Sequence, residues 1–167
     1  MAFSGAKHHR KKAILCNFGT GGHTEQMRRL LSHIENNELI LIAQSPIKPS
    51  DKRYGEYSKI YKVRPDFASS LGILAIPFFV IANLIQTVKL FIRFDIRMII
   101  STGSGVAIVP SIIAKLFGAE VLFFESWSRF TVPSISGLIM YHIADVFFVQ
   151  NEEIKKFYKR ALFMGQL

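Results

Sequence analysis

Two glycine-rich segments constrain the fold of this chain more than any other feature. The first, Gly19-Thr20-Gly21-Gly22-His23, follows the apolar run 13–18, and the second, Ser101-Thr102-Gly103-Ser104-Gly105, follows the apolar run 96–100. A helical pattern begins after each of them. An apolar run that ends at glycine and opens a helix is typical of a buried parallel strand that leads into its crossover helix. The two segments therefore predict an α/β fold built on a parallel sheet.

The rest of the chain continues this alternation of strands and helices. Further strands are predicted at 39–43, 60–63, 121–125, 146–150 and 162–164, and helices at 24–34, 106–117, 135–142 and 152–160. Unalternated apolar strands separated by helices indicate a Rossmann-like, doubly wound parallel sheet that is covered on both faces. The length of 167 residues, half of them hydrophobic, suits one domain. We expect a basic tail at 1–11 and a single domain over 12–167.

A long apolar segment interrupts the pattern between the third and fourth strands. Residues 67–88 carry no charge, and a helix over 71–92 would be about 33 Å long, enough to cross a bilayer. A single crossing, however, would place the flanking strands on opposite sides of the membrane. One helical face carries Asn83, Gln86, Thr87, Lys89 and Arg93, and the opposite face carries Leu84, Ile85, Val88, Phe91 and Ile92. This pattern favours a monotopic helix in the membrane interface over a buried helix or a true span.

Charge and composition narrow the classes of partner. The formal net charge is +9, and many basic residues flank apolar segments, which favours an anionic membrane surface over nucleic acid; a solvated basic face is the alternative. Cys16 is the only cysteine, so the chain can form neither an internal disulfide nor a thiolate metal cluster. Because residues 1–12 lack an apolar core, we expect no signal peptide and a cytoplasmic location.

Known cofactor motifs do not fit the glycine-rich segments. No Walker lysine follows either of them, the first departs from the GxGxxG fingerprint, and no acidic residue ends the second strand. His8 and His9 lie in the basic tail without paired ligands elsewhere. We therefore expect no nucleotide hydrolysis, no NAD, no metal and no other cofactor.

Both glycine-rich segments are instead candidate phosphate sites, because backbone amides at a helix N-terminus attract anions. The candidate contacts are Gly19, Thr20, Gly21, Gly22, Thr24, Ser101, Thr102, Gly103, Ser104 and Gly105. Simple helix capping by the threonines and tight turns at the glycines are the alternatives. His23 could donate to phosphate or accept a proton from a hydroxyl, unless it is merely a capping or surface histidine.

A third cluster, Glu125-Ser126-Trp127-Ser128-Arg129, follows the fifth predicted strand. Glu125 could act as a base or bind a sugar hydroxyl, Trp127 could stack on a sugar or a partner subunit, and Arg129 could pair with phosphate. The alternative is an internal ion pair between Glu125 and Arg129, with Trp127 as a lid on the core. Since all three clusters follow parallel strands, we expect them at the same edge of the sheet.

The order of these segments, with a terminal Gly165-Gln166-Leu167, resembles the asparagine-linked glycosylation protein fourteen family and its bacterial relatives, the PssD-type capsule and exopolysaccharide proteins. The resemblance extends from about Lys12 to the end of the chain. It implies the amino-terminal half of a GT-B glycosyltransferase, whose UDP-sugar-binding half is a separate polypeptide. The eukaryotic member carries an amino-terminal anchor, so here we expect attachment through 71–92.

Together, the residues and the resemblance lead to one hypothesis. The apolar helix holds the domain on the cytoplasmic face of the cell membrane, and the glycine turns bind the diphosphate of a polyprenyl-linked sugar acceptor. A partner subunit supplies the UDP-sugar, carrying glucose or N-acetylglucosamine. His23 or Glu125 deprotonates the acceptor hydroxyl, which attacks the anomeric carbon of the donor with inversion. A non-catalytic membrane-recruitment scaffold and an independent sugar-phosphate enzyme are the alternatives.

Overall fold

Seven parallel strands form a single sheet in the computed structural model, which describes residues 10–34, 39–62 and 75–167. The strands are β1 (Lys12–Phe18), β2 (Ile40–Ser45), β3 (Tyr54–Lys59), β4 (Asp95–Thr102), β5 (Glu120–Phe124), β6 (Val146–Val149) and β7 (Leu162–Phe163). The helices are α1 (Gly22–Ser32), α2 (Ile76–Arg93), α3 (Ile108–Leu116) and α4 (Ile135–Ile143). Short 3₁₀ turns occupy Gly105–Ala107 and Glu153–Phe157.

The strand order places the glycine-rich segments next to each other. The order across the sheet is β3-β2-β1-β4-β5-β6-β7, so the chain reverses direction across the sheet between β1 and β4. In register, Phe18 at the end of β1 lies beside Thr102 at the end of β4. Loops that leave adjacent strands at such a switch point open a crevice at the carboxyl edge of the sheet. The predicted Rossmann-like, doubly wound fold is confirmed.

Apolar side chains on alternating strand positions build a core on each face of the sheet. On one face, Met27, Leu30 and Leu31 of α1 pack against Cys16 and other strand residues. On the other face, α2, α3 and α4 cover a larger cluster, and α3 contacts both of its neighbouring helices. Burial raises the pKa of the Cys16 thiol to about 12, so this cysteine is an inert core residue.

Most predicted elements are present, with two differences. The third strand is Tyr54–Lys59 rather than the predicted 60–63; it is an edge strand of polar composition, so apolar run length could not reveal it, and the buried Ile60 follows it. The predicted helix at 152–160 is a shorter 3₁₀ turn. The residues Val63, 71–74 and most of the basic tail lie outside the described ranges.

The middle of helix α2 reverses the usual polarity of a surface helix, although its last turn buries Leu90 and Phe91 in the ordinary way. Asn83 and Thr87 are buried against the sheet, whereas Leu84, Ile85 and Ile92 are exposed, the last to 63%. The sequence pattern placed Phe91 on the same apolar face as Leu84, Ile85 and Ile92, but it is buried in the core, so that placement was wrong. Only 22% of the α2 window is buried, although the helix is long and apolar enough to span a membrane by length and composition. An ordinary core helix does not fit this distribution.

A row of hydrogen-bonded polar side chains holds α2 against the sheet. Ser101 donates to Asn17, Asn17 to Gln44 (3.2 Å), and Gln44 to Thr87 of α2 (2.9 Å). All four residues are fully buried. Asn83 pairs with both backbone groups of Tyr61, at 2.7 and 2.8 Å. Since β3 and β4 flank α2 in one sheet and the helix is bonded to that sheet, a single membrane crossing by α2 is incompatible with the fold.

Candidate functional site

The three candidate clusters meet at the carboxyl edge of the sheet. A β-carbon placed on Gly19 would lie 2.7 Å from the hydroxyl of Ser104, which joins the first cluster to the second. A β-carbon on Gly103 would lie 2.8 Å from the backbone nitrogen of Ser126, which joins the second to the third. A β-carbon on Gly22 would lie 3.2 Å from the indole nitrogen of Trp127, which joins the first cluster to the third. The clusters therefore form one continuous surface, as their positions after parallel strands predicted.

Glycine is required where the first turn enters α1. Gly21 has a φ of 68°, in the region that other residues rarely adopt, and it is the residue that precedes the helix. The hydroxyl of Thr24 donates to the carbonyl of Gly19 at 3.0 Å and closes the turn. The first backbone amides of α1, at Gly22 and His23, have no acceptor within the helix. These amides and the positive end of the helix dipole suit an anion.

The second turn contributes mainly to the scaffold. Ser101 and Thr102 are fully buried, and Thr102 donates to the carbonyl of His23 at 2.9 Å, which stitches the turn to α1. The side chains of Ser101, Thr102 and Thr24 are thus engaged in internal hydrogen bonds. Among the predicted phosphate contacts, Gly19 and Gly103 are also buried. The groups left to face a ligand are the backbone of Gly21, Gly22 and Gly105 and the hydroxyls of Thr20 and Ser104, which lie at least partly exposed.

His23 lies at the centre of this surface, in the first turn of α1. Its ring is partly buried, and Nδ1 is enclosed without a hydrogen-bond partner. Burial lowers the pKa of His23 below its ordinary value, and this effect outweighs the opposing influence of the Thr102 backbone and of Glu125, while the nearby Arg129 also lowers the pKa. The neutral imidazole is therefore the form present near neutral pH, and it is the form that can accept a proton.

Glu125 is held inside the protein rather than presented to a ligand. It is 1% exposed, and its carboxylate accepts from the Ser126 amide (2.9 Å), the Ser134 hydroxyl (2.9 Å) and the Tyr158 hydroxyl (2.8 Å). Ser134 caps α4, and a β-carbon on Gly137 would lie 1.8 Å from Glu125 Oε2. This geometry favours a structural role for Glu125 over that of a base.

Among the residues that the structure describes, Glu125 and Arg129 do not form the ion pair that the sequence left open as an alternative. Arg129 is exposed, and its backbone nitrogen donates to the carbonyl of Ser126 at 3.0 Å. Trp127 is partly exposed beside Gly22, so it is not a lid sealed within the core. Arg129 is accordingly placed to meet an anion at the edge of the site.

Several residues of the site were missed by sequence reasoning. The guanidinium of Arg29 lies 5.1 Å from the centre of the Trp127 ring and donates to the terminal Leu167 carbonyl at 3.0 Å. Tyr158 and Ser134 hold Glu125 from distant parts of the chain. Only Ser134 carried a local signal, because a serine before an apolar helical pattern is a preferred N-cap. The described residues contain no group of three or more potential metal ligands.

Comparison with known proteins places the chain in a family and a fold. A family described as "Oligosaccharide biosynthesis protein Alg14 like" matches residues 14–167. The UDP-N-acetylglucosamine transferase subunit alg14 of Schizosaccharomyces pombe is 26% identical over 174 residues, covering 93% of this chain and 83% of that protein. The human subunit ALG14 is 23% identical over 184 residues, covering 93% of this chain and 82% of its own length.

Solved structures show the same fold within larger proteins. Acinetobacter baumannii MurG superposes with a TM-score of 0.58 and 17% identity, over 83% of this chain and 41% of MurG. The UDP-GlcNAc 2-epimerase of Methanocaldococcus jannaschii has the same TM-score at 16% identity, over 89% of this chain and 42% of the epimerase. The chain thus spans less than half the length of these structures. Its family is set by the match across residues 14–167: the chain belongs to the Alg14-like oligosaccharide biosynthesis proteins.

Proposed function

We propose that this chain is the membrane-associated, acceptor-binding subunit of a two-chain glycosyltransferase. The partner subunit binds a UDP-sugar, and the sugar moves to a polyprenyl-diphosphate-linked saccharide during polysaccharide, exopolysaccharide or capsule biosynthesis. Its relatives are named as subunits of a UDP-N-acetylglucosamine transferase, which supports N-acetylglucosamine as the transferred sugar. The observation that carries the proposal is the convergence of both glycine turns, His23 and Arg129 on one edge of the sheet.

The size of the fold supports the proposal that a partner is needed. The described strands form one Rossmann-like sheet, and this sheet corresponds to less than half of MurG. In our proposal, the site at the carboxyl edge is one wall of a cleft, and the UDP-sugar-binding subunit supplies the other wall. The two chains then form a heterodimer, and turnover requires both of them.

The membrane contact is proposed on the face of the domain that carries α2, α3 and α4. These helices pack side by side, and their outward side chains are largely apolar. We call this the apolar helix surface; it comprises Ile81, Leu84, Ile85, Ile92, Ile112, Leu116, Leu138 and Ile139. A solvent-exposed patch of this size is typical of a membrane or protein contact. Exposed Lys89 and Arg93 on α2 suit the anionic headgroups of the cytoplasmic leaflet.

The chemistry assigned to this chain is positioning and proton removal. The amides of the first turn, with Arg129, hold the diphosphate of the acceptor. Neutral His23 accepts the proton of the acceptor hydroxyl, and the hydroxyl oxygen forms a bond to the anomeric carbon of the donor. The bond from that carbon to the UDP oxygen breaks with inversion, and UDP leaves. Helix termini and arginine can balance the diphosphate charge, so we propose neither a metal nor another cofactor for this chain.

A second candidate function is a recruitment scaffold that carries no catalytic group. The commitment of Glu125 to internal hydrogen bonds favours it, because His23 then becomes the one remaining candidate base. In this reading the turns and Arg129 only position the acceptor, and the partner subunit performs the whole reaction.

Reconstitution of the pair on anionic vesicles tests both functions. The assay follows transfer of labelled N-acetylglucosamine from its UDP derivative to a prenyl-diphosphate-linked N-acetylglucosamine. A His23→Gln variant is expected to lose transfer by about 10²–10⁴-fold if His23 is the base, while pairing and vesicle binding stay unchanged. Full activity of this variant would establish the scaffold instead. Transfer by this chain without its partner would overturn the two-chain proposal.

A further inference from the structure

Three exposed apolar side chains lie directly beside the candidate site. In the segment 130–135, Phe130 is 51% exposed, Val132 62% and Ile135 81%. A single exposed apolar residue needs no explanation, but three within six residues form a patch. The patch contributes little to the core, because these side chains are mostly in solvent. We call it the 130–135 patch.

The backbone fixes this patch close to the anion-binding groups. The segment begins one residue after Arg129, whose backbone nitrogen is bonded to the Ser126 carbonyl, and Ser126 is packed against Gly103 of the second turn. At its other end, Ile135 opens α4, and α4 contacts the 3₁₀ turn Gly105–Ala107 that follows the same glycine turn. Both ends of the patch are thus anchored to the phosphate-binding edge.

Polarity changes sharply along this short stretch. The exposed guanidinium of Arg129 and the turn amides lie at one end, and the aromatic and aliphatic side chains follow at once. Beyond Ile135, the outward residues Leu138 and Ile139 of α4 continue into the apolar helix surface. The apolar path therefore starts at the candidate diphosphate site and ends on the face proposed to meet the bilayer.

We infer that the 130–135 patch binds the first isoprenoid units of the acceptor, next to its diphosphate. This inference rests on the proposed function. A prenyl diphosphate joins a dianionic group directly to a branched hydrocarbon, so it needs cationic and apolar surfaces in immediate succession. The patch offers this succession, and it bridges the gap between the diphosphate and the membrane. The patch is then a tail subsite, and it selects acceptors that carry a prenyl chain.

The test measures acceptor binding by this chain in solution, without vesicles and without the partner subunit. Trp127 is the only tryptophan of the chain and lies beside the first turn, so its fluorescence reports binding. Two probes are compared: N-acetylglucosamine diphosphate esterified with farnesol, and the same compound esterified with methanol. The wild-type chain is expected to bind the farnesyl probe at least about tenfold more tightly, because apolar surface is buried.

Substitutions separate the patch from the rest of the apolar surface. Phe130→Ser and Val132→Ser are each expected to reduce the preference for the farnesyl probe by about three- to tenfold, with unchanged affinity for the methyl probe. Ile92→Ser and Leu116→Ser are matched controls, because both residues are exposed to more than 60% and lie at the C-terminal ends of α2 and α3, away from the carboxyl edge of the sheet. These controls are expected to retain the full preference. Thermal unfolding of all four variants verifies that the fold is intact.

Different failures have different signatures. If the wild-type chain binds both probes equally, or if the patch variants behave like the controls, the tail subsite is refuted while the diphosphate site stands. If neither probe binds, both the proposed acceptor-binding function and the tail subsite are refuted. If the patch variants keep the farnesyl preference but lose capture of the UDP-sugar-binding subunit or of anionic vesicles, the patch is a protein or bilayer contact, and the inference is overturned.

Discussion

Replacement of Glu125 distinguishes an internal organiser from a catalytic base. In Glu125→Ala, the Ser126 amide and the hydroxyls of Ser134 and Tyr158 lose their shared acceptor in a buried site. A buried donor that is left without an acceptor costs about 1–3 kcal/mol, so the loss of the acceptor shared by these three donors costs about 3 kcal/mol or more. We expect the free energy of unfolding of Glu125→Ala to fall by about this amount.

The Glu125→Gln variant provides the sharper comparison, because it keeps the shape of the side chain. The amide oxygen still accepts, and the hydroxyls of Ser134 or Tyr158 can rotate to accept from the new NH₂ group. The loss is then mainly charge assistance, about 1–2 kcal/mol. Urea unfolding followed by Trp127 fluorescence measures both variants, and the slope of the transition serves as a check on two-state behaviour.

Activity in the reconstituted pair decides the role. If Glu125 holds the segment after β5 in place through its hydrogen bonds, Glu125→Gln retains transfer activity within several-fold of the wild type. His23→Gln is then expected to lose about 10²-fold or more of this activity. A Glu125→Gln variant with an unchanged free energy of unfolding and a loss of about 10²-fold or more would refute this reasoning, since an organiser acts through structure and a base acts through proton transfer.

Three further predictions concern packing, pH and the membrane. Gly137→Ala is expected to destabilise the protein by about 1–3 kcal/mol or more in urea unfolding, because its β-carbon would collide with the Glu125 carboxylate and the Tyr158 hydroxyl. Gly118→Ala is the comparison for backbone strain alone, since a β-carbon there meets nothing within 4 Å but φ is 75°. Equal losses of stability in the two variants would contradict the steric explanation. Because burial lowers the pKa of His23 from 6.5, the contribution of His23 to stability is complete above pH 6.5 and is lost as the pH falls below that value. The thermal unfolding temperature should therefore drop between pH 7.5 and 5.5 in the wild type and drop less in His23→Gln. An identical drop in both proteins would exclude His23 as a source of the pH dependence. The double variant Leu84→Gln/Ile85→Gln should lose roughly tenfold or more in affinity for anionic vesicles, measured by co-sedimentation. Its unfolding temperature should change little, since both side chains are exposed on α2. Vesicle binding at the wild-type level would show that α2 is not part of the membrane contact.

The sequence was sufficient for the features that local pattern encodes. Buried parallel strands have continuous apolar runs, so β1, β4 and β5 could be located, and their shared direction implied that the loops after them meet. Glycine before α1 marked the turn whose positive φ the structure shows at Gly21. These inferences need only strand periodicity and turn chemistry.

Features that depend on distant contacts were out of reach. The role of Glu125 is set by Ser134 and Tyr158, and nothing in the local sequence announces that these hydroxyls surround it. The edge strand β3 is polar because it has one neighbour and little burial. Helix α2 was recognised as amphipathic, but its inward side could not be assigned, since polar side chains normally face water and here Asn83 and Thr87 face the sheet.

The reversed polarity of α2 separates two tasks that most surface helices combine. On its inner side, the hydrogen bonds of Asn83 and Thr87 and the packing of Leu90 and Phe91 hold the helix on the domain. The residues on its outer side take almost no part in this attachment. The outward-facing side chains of α2, its outer coat, can therefore be exchanged without changing the fold. Relatives could adapt this coat to bilayers of different composition, and a laboratory version that dissolves in plain buffer would need changes only to the outward-facing apolar residues of α2, α3, α4 and the 130–135 patch.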